Sequence, residues 1–256
     1  MTPYTLYSSL AGKTVIITGG ASGIGEEIVR AFAANRARVA FLDLERDLGE
    51  KLAETIAAEG GPKPLFLHCD LLDTASVRAA IARSRTELGP ASALINNAAN
   101  DLRQKFDEVT PEQFDWMMRV NVGHVFFASQ AVVPQMRELG SGSIVNLSSI
   151  AWMLGVLSLE AYSAGKAAVL GFTKSLAREL GPDRIRVNAI APGLVLTEKQ
   201  RRLWFADDDK LRKHLSSQCI PEAIHPREIA RMALFLAADD SQMITKQCFL
   251  VDAGTH

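Results

Sequence analysis

A glycine-rich turn set between a β-branched run and a helical pattern constrains this chain more than any other feature. The turn reads Thr18-Gly19-Gly20-Ala21-Ser22-Gly23-Ile24-Gly25. Before it stands Thr14-Val15-Ile16-Ile17, an apolar stretch suited to a buried strand. After it, Ile28, Val29, Phe32 and Ala33 recur at helical spacing within residues 26–35. Strand, glycine turn and helix in that order are the parts of a dinucleotide site. Glycines permit the tight turn and let the backbone approach a pyrophosphate, while the helix N-terminus turns its free N–H groups and dipole to the phosphates. A glycine turn that holds no ligand is the plainer alternative, and the context argues against it.

The next predicted strand, Arg38-Val39-Ala40-Phe41-Leu42, ends at Asp43. A carboxylate there can accept hydrogen bonds from an adenosine ribose and would repel a 2′-phosphate, which argues for NAD over NADP. Arg46 is the opposing signal, either as a phosphate partner or as a solvated charge at a helix start.

Tyr162-Ser163-Ala164-Gly165-Lys166 sets a phenol and an ammonium four residues apart, on one face of a helix. A lysine beside a tyrosine stabilises the phenolate and is expected to lower the phenol pKa towards neutrality. Tyr162 is then a candidate general base. Ser148 and Ser149 end a predicted strand upstream.

The rest of the chain alternates strand and helix. Helices are predicted near residues 47–59, 74–88, 111–139, 162–180 and 227–237, and strands near 64–69, 93–96, 143–147, 185–190 and 248–251. Such alternation implies an α/β fold, a Rossmann-like doubly wound parallel sheet with helices on both faces. Its ligand crevice lies at the strand carboxyl ends. A single unit over residues 1–256 is expected, with a lid over about residues 195–220.

Composition narrows the partners. With 256 residues and 48% hydrophobic content the chain can build one substantial core, and a net charge of −1 leaves no electrostatic footprint for nucleic acid. Cys69, Cys219 and Cys248 show no CxxC spacing, which suits a reduced cytoplasm. His68 beside Cys69 has no further ligands around it, so no metal site is expected. No signal peptide and no membrane-spanning stretch are predicted.

With these pieces in place, the chain resembles the short-chain dehydrogenase/reductase family over nearly its whole length. Thr18 to Gly25 matches the TGxxxGIG cofactor turn, and Asn96-Asn97-Ala98-Ala99 is similar to NNAG, with Ala99 in place of glycine. Asn121 matches the helix asparagine, and Ser149 precedes Tyr162 by the family's usual thirteen residues. Pro192-Gly193, Val195 and Thr197 match the stretch that embraces a nicotinamide. The resemblance implies that Tyr162 exchanges a proton with the substrate oxygen, that Lys166 holds the nicotinamide ribose, that Ser149 polarises the reacting oxygen, and that Asn121 anchors a water. Gly19, Ser22, Gly23, Ile24, Gly25, Asp43, Asp70, Leu71 and Asn97 complete the implied NAD site. Neighbouring Ser148 better fits a hydroxyl that satisfies backbone groups. The family also implies a homo-oligomer, expected as a homotetramer. The predicted helices 111–139 and 161–180 carry apolar residues on more than one face, which agrees.

Substrate is read from two segments, Asn100, Asp101, Arg103 and Gln104 after the NNAG-like motif, and Trp152-Met153-Leu154 after Ser149. A polar cluster with an indole suits a polyhydroxylated ring. Equally, Asp101 and Arg103 form an exposed ion pair and Trp152 is core. Asn96–Thr110, Ile150–Gly155, Gln200–Trp204 and Gln218-Cys219 resemble the bacterial D-xylose (aldose) 1-dehydrogenases of the family, which oxidise the anomeric carbon of a cyclic aldose to a lactone. Asn100, Asp101, Arg103, Ser149, Trp152 and Tyr162 are then the candidate sugar contacts. Met153 and Glu160 depart from that pattern, and Thr245-Lys246 stands where the family has Thr-Gly. A dehydrogenase of a sugar acid such as a 2-keto-3-deoxy aldonate, with Arg103 on the carboxylate, is the enzyme alternative, and a catalytically silent NAD-binding scaffold is the alternative of a different class.

Overall fold

The computed structural model describes residues 4–256; residues 1–3, the start of the expected single unit, lie outside the described residues. Seven parallel strands form one sheet: β1 (Thr14–Thr18), β2 (Arg38–Asp43), β3 (Leu65–His68), β4 (Ala91–Asn96), β5 (Gly142–Leu147), β6 (Ile185–Pro192) and β7 (Cys248–Val251). The order β3-β2-β1-β4-β5-β6-β7 reverses direction at β1, so a crevice opens between the carboxyl ends of β1 and β4. There Thr18 stands opposite Asn96 in register.

Among the described residues, ten α-helices link the strands: α1 (Gly23–Ala34), α2 (Arg46–Ala58), α3 (Thr74–Leu88), α4 (Pro111–Met118), α5 (His124–Leu139), α6 (Ala151–Leu154), α7 (Glu160–Leu180), α8 (Glu198–Trp204), α9 (Asp208–Leu215) and α10 (Pro226–Ala237). The core divides into two layers, one on each face of the sheet. Ile28 and Phe32 of α1, Leu52 and Ile56 of α2, and Ile229 and Leu234 of α10 fill one face. Val77 and Ile81 of α3, Val132 and Met136 of α5, and Ala177 and Leu180 of α7 fill the other. Burial on both sides explains why the centre of β1, Val15-Ile16-Ile17, is a continuous apolar run rather than alternating.

Two sequence expectations are corrected. The first helix begins at Gly23, not Glu26, because the last glycines of the turn already wind as helix. The single helix expected over 111–139 is two α-helices joined by a π turn at Arg119–Gly123, which carries Asn121. Its side chain answers the local shift: Nδ2 donates to the Met117 and Asn100 carbonyls, both at 3.0 Å. The segment expected as a lid contains two helices, α8 and α9, each started by a side-chain cap, Thr197 for Gln200 N and Asp207 for Asp209 N.

Candidate active site

The turn after β1 leaves no room for side chains where a ligand backbone would pass. Gly19 has φ +67°, and a Cβ there would lie 2.7 Å from the Ala98 Cα; a Cβ on Gly25 would lie 1.8 Å from the Gly19 carbonyl oxygen. Glycine is required at both for steric reasons alone. Ser22 is exposed, and its side chain makes no bond to the first turn of α1. A Cβ on Gly23 would lie 3.5 Å from Thr197 Cγ2, so the start of the lid faces the glycine turn across a narrow gap. These features fit a dinucleotide: a Cβ-free cradle, a helix N-terminus with open amides, and a wall opposite.

The residues expected around the cofactor lie at or just past the carboxyl ends of the strands. Asp43 ends β2, and its Oδ2 accepts from Ala21 N at 2.8 Å. Arg46 is exposed and pairs with Glu50 at 3.5 Å, four residues on, which matches a solvated helix-start charge. Asp70 is exposed after β3, its Oδ1 taken by Leu72 N at 2.9 Å, with Leu71 half-buried beside it. The Asn97 side chain donates to the Thr18 and Gly19 carbonyls at 3.1 and 2.8 Å, so it braces the turn. Pro192 closes β6. Gly193 follows it, held by Val251 O at 2.9 Å, where a Cβ would lie 2.8 Å from the Asp252 Cα. Val195 is buried and bridges to Ile224, and its carbonyl accepts from Thr197 N at 2.9 Å.

Beside the crevice, α7 carries Tyr162 and Lys166. The helix is tied to β5 from below: Lys166 Nζ donates to Leu147 O at 2.7 Å, and Ser148 Oγ donates to Lys166 O at 2.8 Å. Ser148 therefore satisfies a backbone carbonyl, as expected of it. The Ser149 hydroxyl accepts from Ala151 N at 3.1 Å. Asn121 is fully buried. Besides its two donated bonds, its Oδ1 accepts from Asn100 N at 3.1 Å.

The electrostatics correct one expectation. Burial pushes the Tyr162 phenol up to about 12; the nearby Ser149 hydroxyl works against this and the Asp101 charge adds to it. Lys166 Nζ lies 5.8 Å from the centre of the Tyr162 ring, and burial pushes the lysine itself down to about 8. Without cofactor, the cost of desolvating both groups outweighs any benefit the ammonium gives the phenolate.

The rim differs from the expected ion pair. Asp101 and Arg103 do not pair with each other. Asp101 Oδ1 binds Lys199 Nζ and its Oδ2 binds Gln200 Nε2, both at 2.7 Å on α8. Burial raises this carboxyl, but Lys199 and Gln200 outweigh it and hold it below the usual range. The Arg103 guanidinium stacks 4.6 Å over the Trp204 ring and donates to Leu157 O at 3.2 Å. Asn100 Oδ1 turns back to Leu102 N at 2.9 Å. Trp152 is half-buried, its Nε1 3.4 Å from Ser148 Oγ. Sequence reading missed the roles of Lys199 and Gln200. They lie about a hundred residues from Asp101, and no local spacing signals the contact.

Known proteins agree with this geometry. The family model described as enoyl-(acyl carrier protein) reductase matches residues 19–256. A "probable galactose dehydrogenase" of Rhizobium meliloti is 44% identical, over 98% of each chain. A D-xylose 1-dehydrogenase of Caulobacter vibrioides is 39% identical, over 97% of this chain and 98% of its own. A D-threitol dehydrogenase of Mycolicibacterium smegmatis is 36% identical, over 96% and 93%. With a nucleotide cradle after β1, a serine, tyrosine and lysine gathered beside it, and these full-length likenesses, the chain belongs to the short-chain dehydrogenase/reductase family.

Proposed function

We propose that this enzyme oxidises the C1 hydroxyl of a cyclic aldose with NAD and releases a sugar lactone. The observation that carries the reading is the half-buried Asp101 carboxylate, oriented by Lys199 and Gln200 and close enough to act electrostatically on both Tyr162 and Lys166. A fixed acceptor beside the reacting groups suits a substrate rich in hydroxyls. It also repels a carboxylate substrate. Arg103, the group a sugar acid would need, is engaged by Trp204 and Leu157. The two relatives named for galactose and D-xylose support the same substrate class.

The residues divide the work as follows. The glycine turn, Asp43, Asp70, Leu71, Asn97 and the Pro192–Thr197 stretch hold NAD, whose nicotinamide supplies the hydride acceptor. The carboxylate at the end of β2 supports NAD over NADP. Ser149 donates to the reacting oxygen and orients it. Tyr162 takes the C1 hydroxyl proton as the C–H bond is broken. Lys166 supplies positive charge next to the developing phenolate, and Asn121 fixes the loop at Asn100. Asn100, Arg103 and Trp152 complete the sugar-facing wall. The protein acts in the cytoplasm as a homotetramer; the exposed Phe126, packed against Phe127 and Phe172, marks an apolar face on α5 and α7.

The test is turnover by the purified protein with NAD and a panel of D-xylose, L-arabinose, L-fucose, D-galactose and their aldonates, read by absorbance of the reduced cofactor, with the lactone trapped by hydroxylamine. Turnover of neutral aldoses with hydroxamate formation is expected. Preference for the acids, or no turnover while NAD still binds, overturns the reading.

A further inference from the structure

Helix α7 carries two internal glycines, Gly165 and Gly171, and each weakens the helix relative to alanine. Their surroundings differ. Gly171 is exposed, and a Cβ there would meet nothing within 4 Å among the described residues. Gly165 is buried and stands just before Lys166, three residues after Tyr162. A Cβ there would lie 3.2 Å from Asn121 Cβ, 3.5 Å from Val122 Cγ2 and 3.9 Å from Met118 Sδ. The first distance is tighter than ordinary van der Waals contact. The missing side chain is therefore what lets α7 lie this close to the π turn.

Both sides of this contact are anchored. Asn121 is fully buried, and its side chain makes three hydrogen bonds: Nδ2 donates to the Met117 and Asn100 carbonyls, both at 3.0 Å, and Oδ1 accepts from Asn100 N at 3.1 Å. Asn100 is thereby held through both of its backbone polar groups. Across the gap, Lys166 Nζ donates to Leu147 O at 2.7 Å and Ser148 Oγ donates to Lys166 O at 2.8 Å, which ties the turn of α7 after Gly165 to β5. Two fixed pieces meet at Gly165: the helix that bears Tyr162 and Lys166, and the turn that holds the loop at Asn100.

We propose that Gly165 is a positioning residue for the reaction: by carrying no side chain, it sets the spacing between the Tyr162–Lys166 pair and the sugar-facing loop that Asn121 holds. A methyl group there makes the π turn give by a few tenths of an ångström, and Asn100 with it, while Lys166 stays tied to β5. Proton and hydride transfer need the reacting atoms near contact distance, so such a shift is felt in turnover. The proposal rests on the reading of Tyr162 as the proton acceptor and of Asn100 as part of the sugar wall.

Gly165→Ala and Gly171→Ala make the same chemical change on the same helix, and both are compared with the wild type at equal mass by light scattering. Gly171→Ala should raise the melting temperature by about 1–4 °C and leave kcat within about twofold. In Gly165→Ala the gain in helix propensity offsets the crowding, so the melting temperature should stay within about 2 °C of the wild type. Its kcat should nevertheless fall about tenfold, with KM for NAD held within about twofold because the glycine turn and Asp43 are untouched. A contact that serves stability alone would not separate the two readouts. A wild-type kcat in Gly165→Ala overturns the proposal. So does a kcat loss that comes with a drop in melting temperature of more than about 5 °C, or an equal kcat loss in Gly171→Ala. If the wild type oxidises no aldose, the functional reading fails by itself. Hydrogen exchange at the Asn100 amide then decides: faster exchange in Gly165→Ala but not in Gly171→Ala supports the spacing role, and equal rates in all three proteins overturn it.

Discussion

The Asp43 carboxylate links the end of β2 to the glycine turn: Oδ2 accepts from Ala21 N at 2.8 Å while Oδ1 accepts from Glu45 N at 3.1 Å. The group proposed to recognise the ribose therefore also shapes the loop proposed to receive the pyrophosphate. On that proposal, selectivity and cofactor affinity are coupled through one side chain.

Asp43→Ala should consequently do two things. Discrimination against NADP should relax, and the KM for NAD should rise. Stability should drop by about 1–2 kcal/mol, because two backbone amides lose a charged acceptor. Kinetics with both cofactors and a urea titration check these outcomes. A wild type that already uses NADP more efficiently than NAD would sink the assignment.

Asp101 sits between the lid and the reacting pair, so its charge has a signed effect. It raises the Tyr162 phenol, and its removal should favour the phenolate. In Asp101→Asn the alkaline rise of kcat/KM should begin at lower pH than in the wild type, while the sugar KM increases as the bond to Lys199 weakens. The ion pair is half-exposed and contributes only about 0–1 kcal/mol of stability, so the melting temperature should scarcely change. An unshifted pH profile would remove Asp101 from the site.

Arg103 and Trp152 invite the complementary comparison. Arg103→Ala forfeits the stacking on Trp204, worth about 0.5–1 kcal/mol at an exposed site. Trp152→Ala removes a half-buried ring. If both belong to the sugar wall, each raises sugar KM with little change for NAD. A large fall in melting temperature for Trp152→Ala with unchanged sugar KM would assign the indole to the core instead.

What the sequence made legible follows the range of the interactions involved. The strand–turn–helix around Gly19 and Gly25, and the Tyr162–Lys166 face, depend on residues within a turn or two of one another. The parallel sheet follows from alternation of patterns along the whole chain. The π turn at Asn121 was not legible, because one extra residue per turn leaves the apolar periodicity of α4 and α5 nearly intact. The Asp101–Lys199 contact was not legible either, since it is made only when the lid packs on the loop after β4. The direction of the Tyr162 shift failed for a third reason: desolvation depends on everything around the ring, whereas the motif names only its charged neighbour.

Lys246 offers a stability test outside the site. It adopts φ +66°, a left-handed conformation, and its amide donates to Val187 O at 2.8 Å as the chain enters β7. Its position is the one where the family pattern has glycine. Lysine pays a steric cost there that glycine avoids, so Lys246→Gly should stabilise the protein by about 0.5–1 kcal/mol despite the added freedom of the unfolded chain. Kinetic constants should be unaffected. A loss of stability would mean that the lysine side chain contributes more than its backbone strain costs.

Lys166 gives the last prediction, through linkage. It is 2% exposed, and burial lowers its folded pKa from 10.5 to about 8. Between those values the unfolded chain holds a proton that the folded protein has shed, so stability must rise with pH across that window. The contribution is complete above the unfolded pKa and is lost as pH falls through the folded one. Tyr162 acts in the opposite sense, but only above pH 10, where its raised folded pKa keeps a proton that the unfolded chain releases. Measurements between pH 7 and 9.5 therefore isolate the lysine. Urea midpoints of the cofactor-free wild type and of Lys166→Met should converge or cross in that interval, the wild type gaining about 2 kcal/mol relative to the variant. The same variant should lose turnover. A constant stability gap across the interval would mean that the ammonium is solvated in the free enzyme. The cost of burying Lys166 would then no longer explain why the site awaits its cofactor before Tyr162 can act as a base.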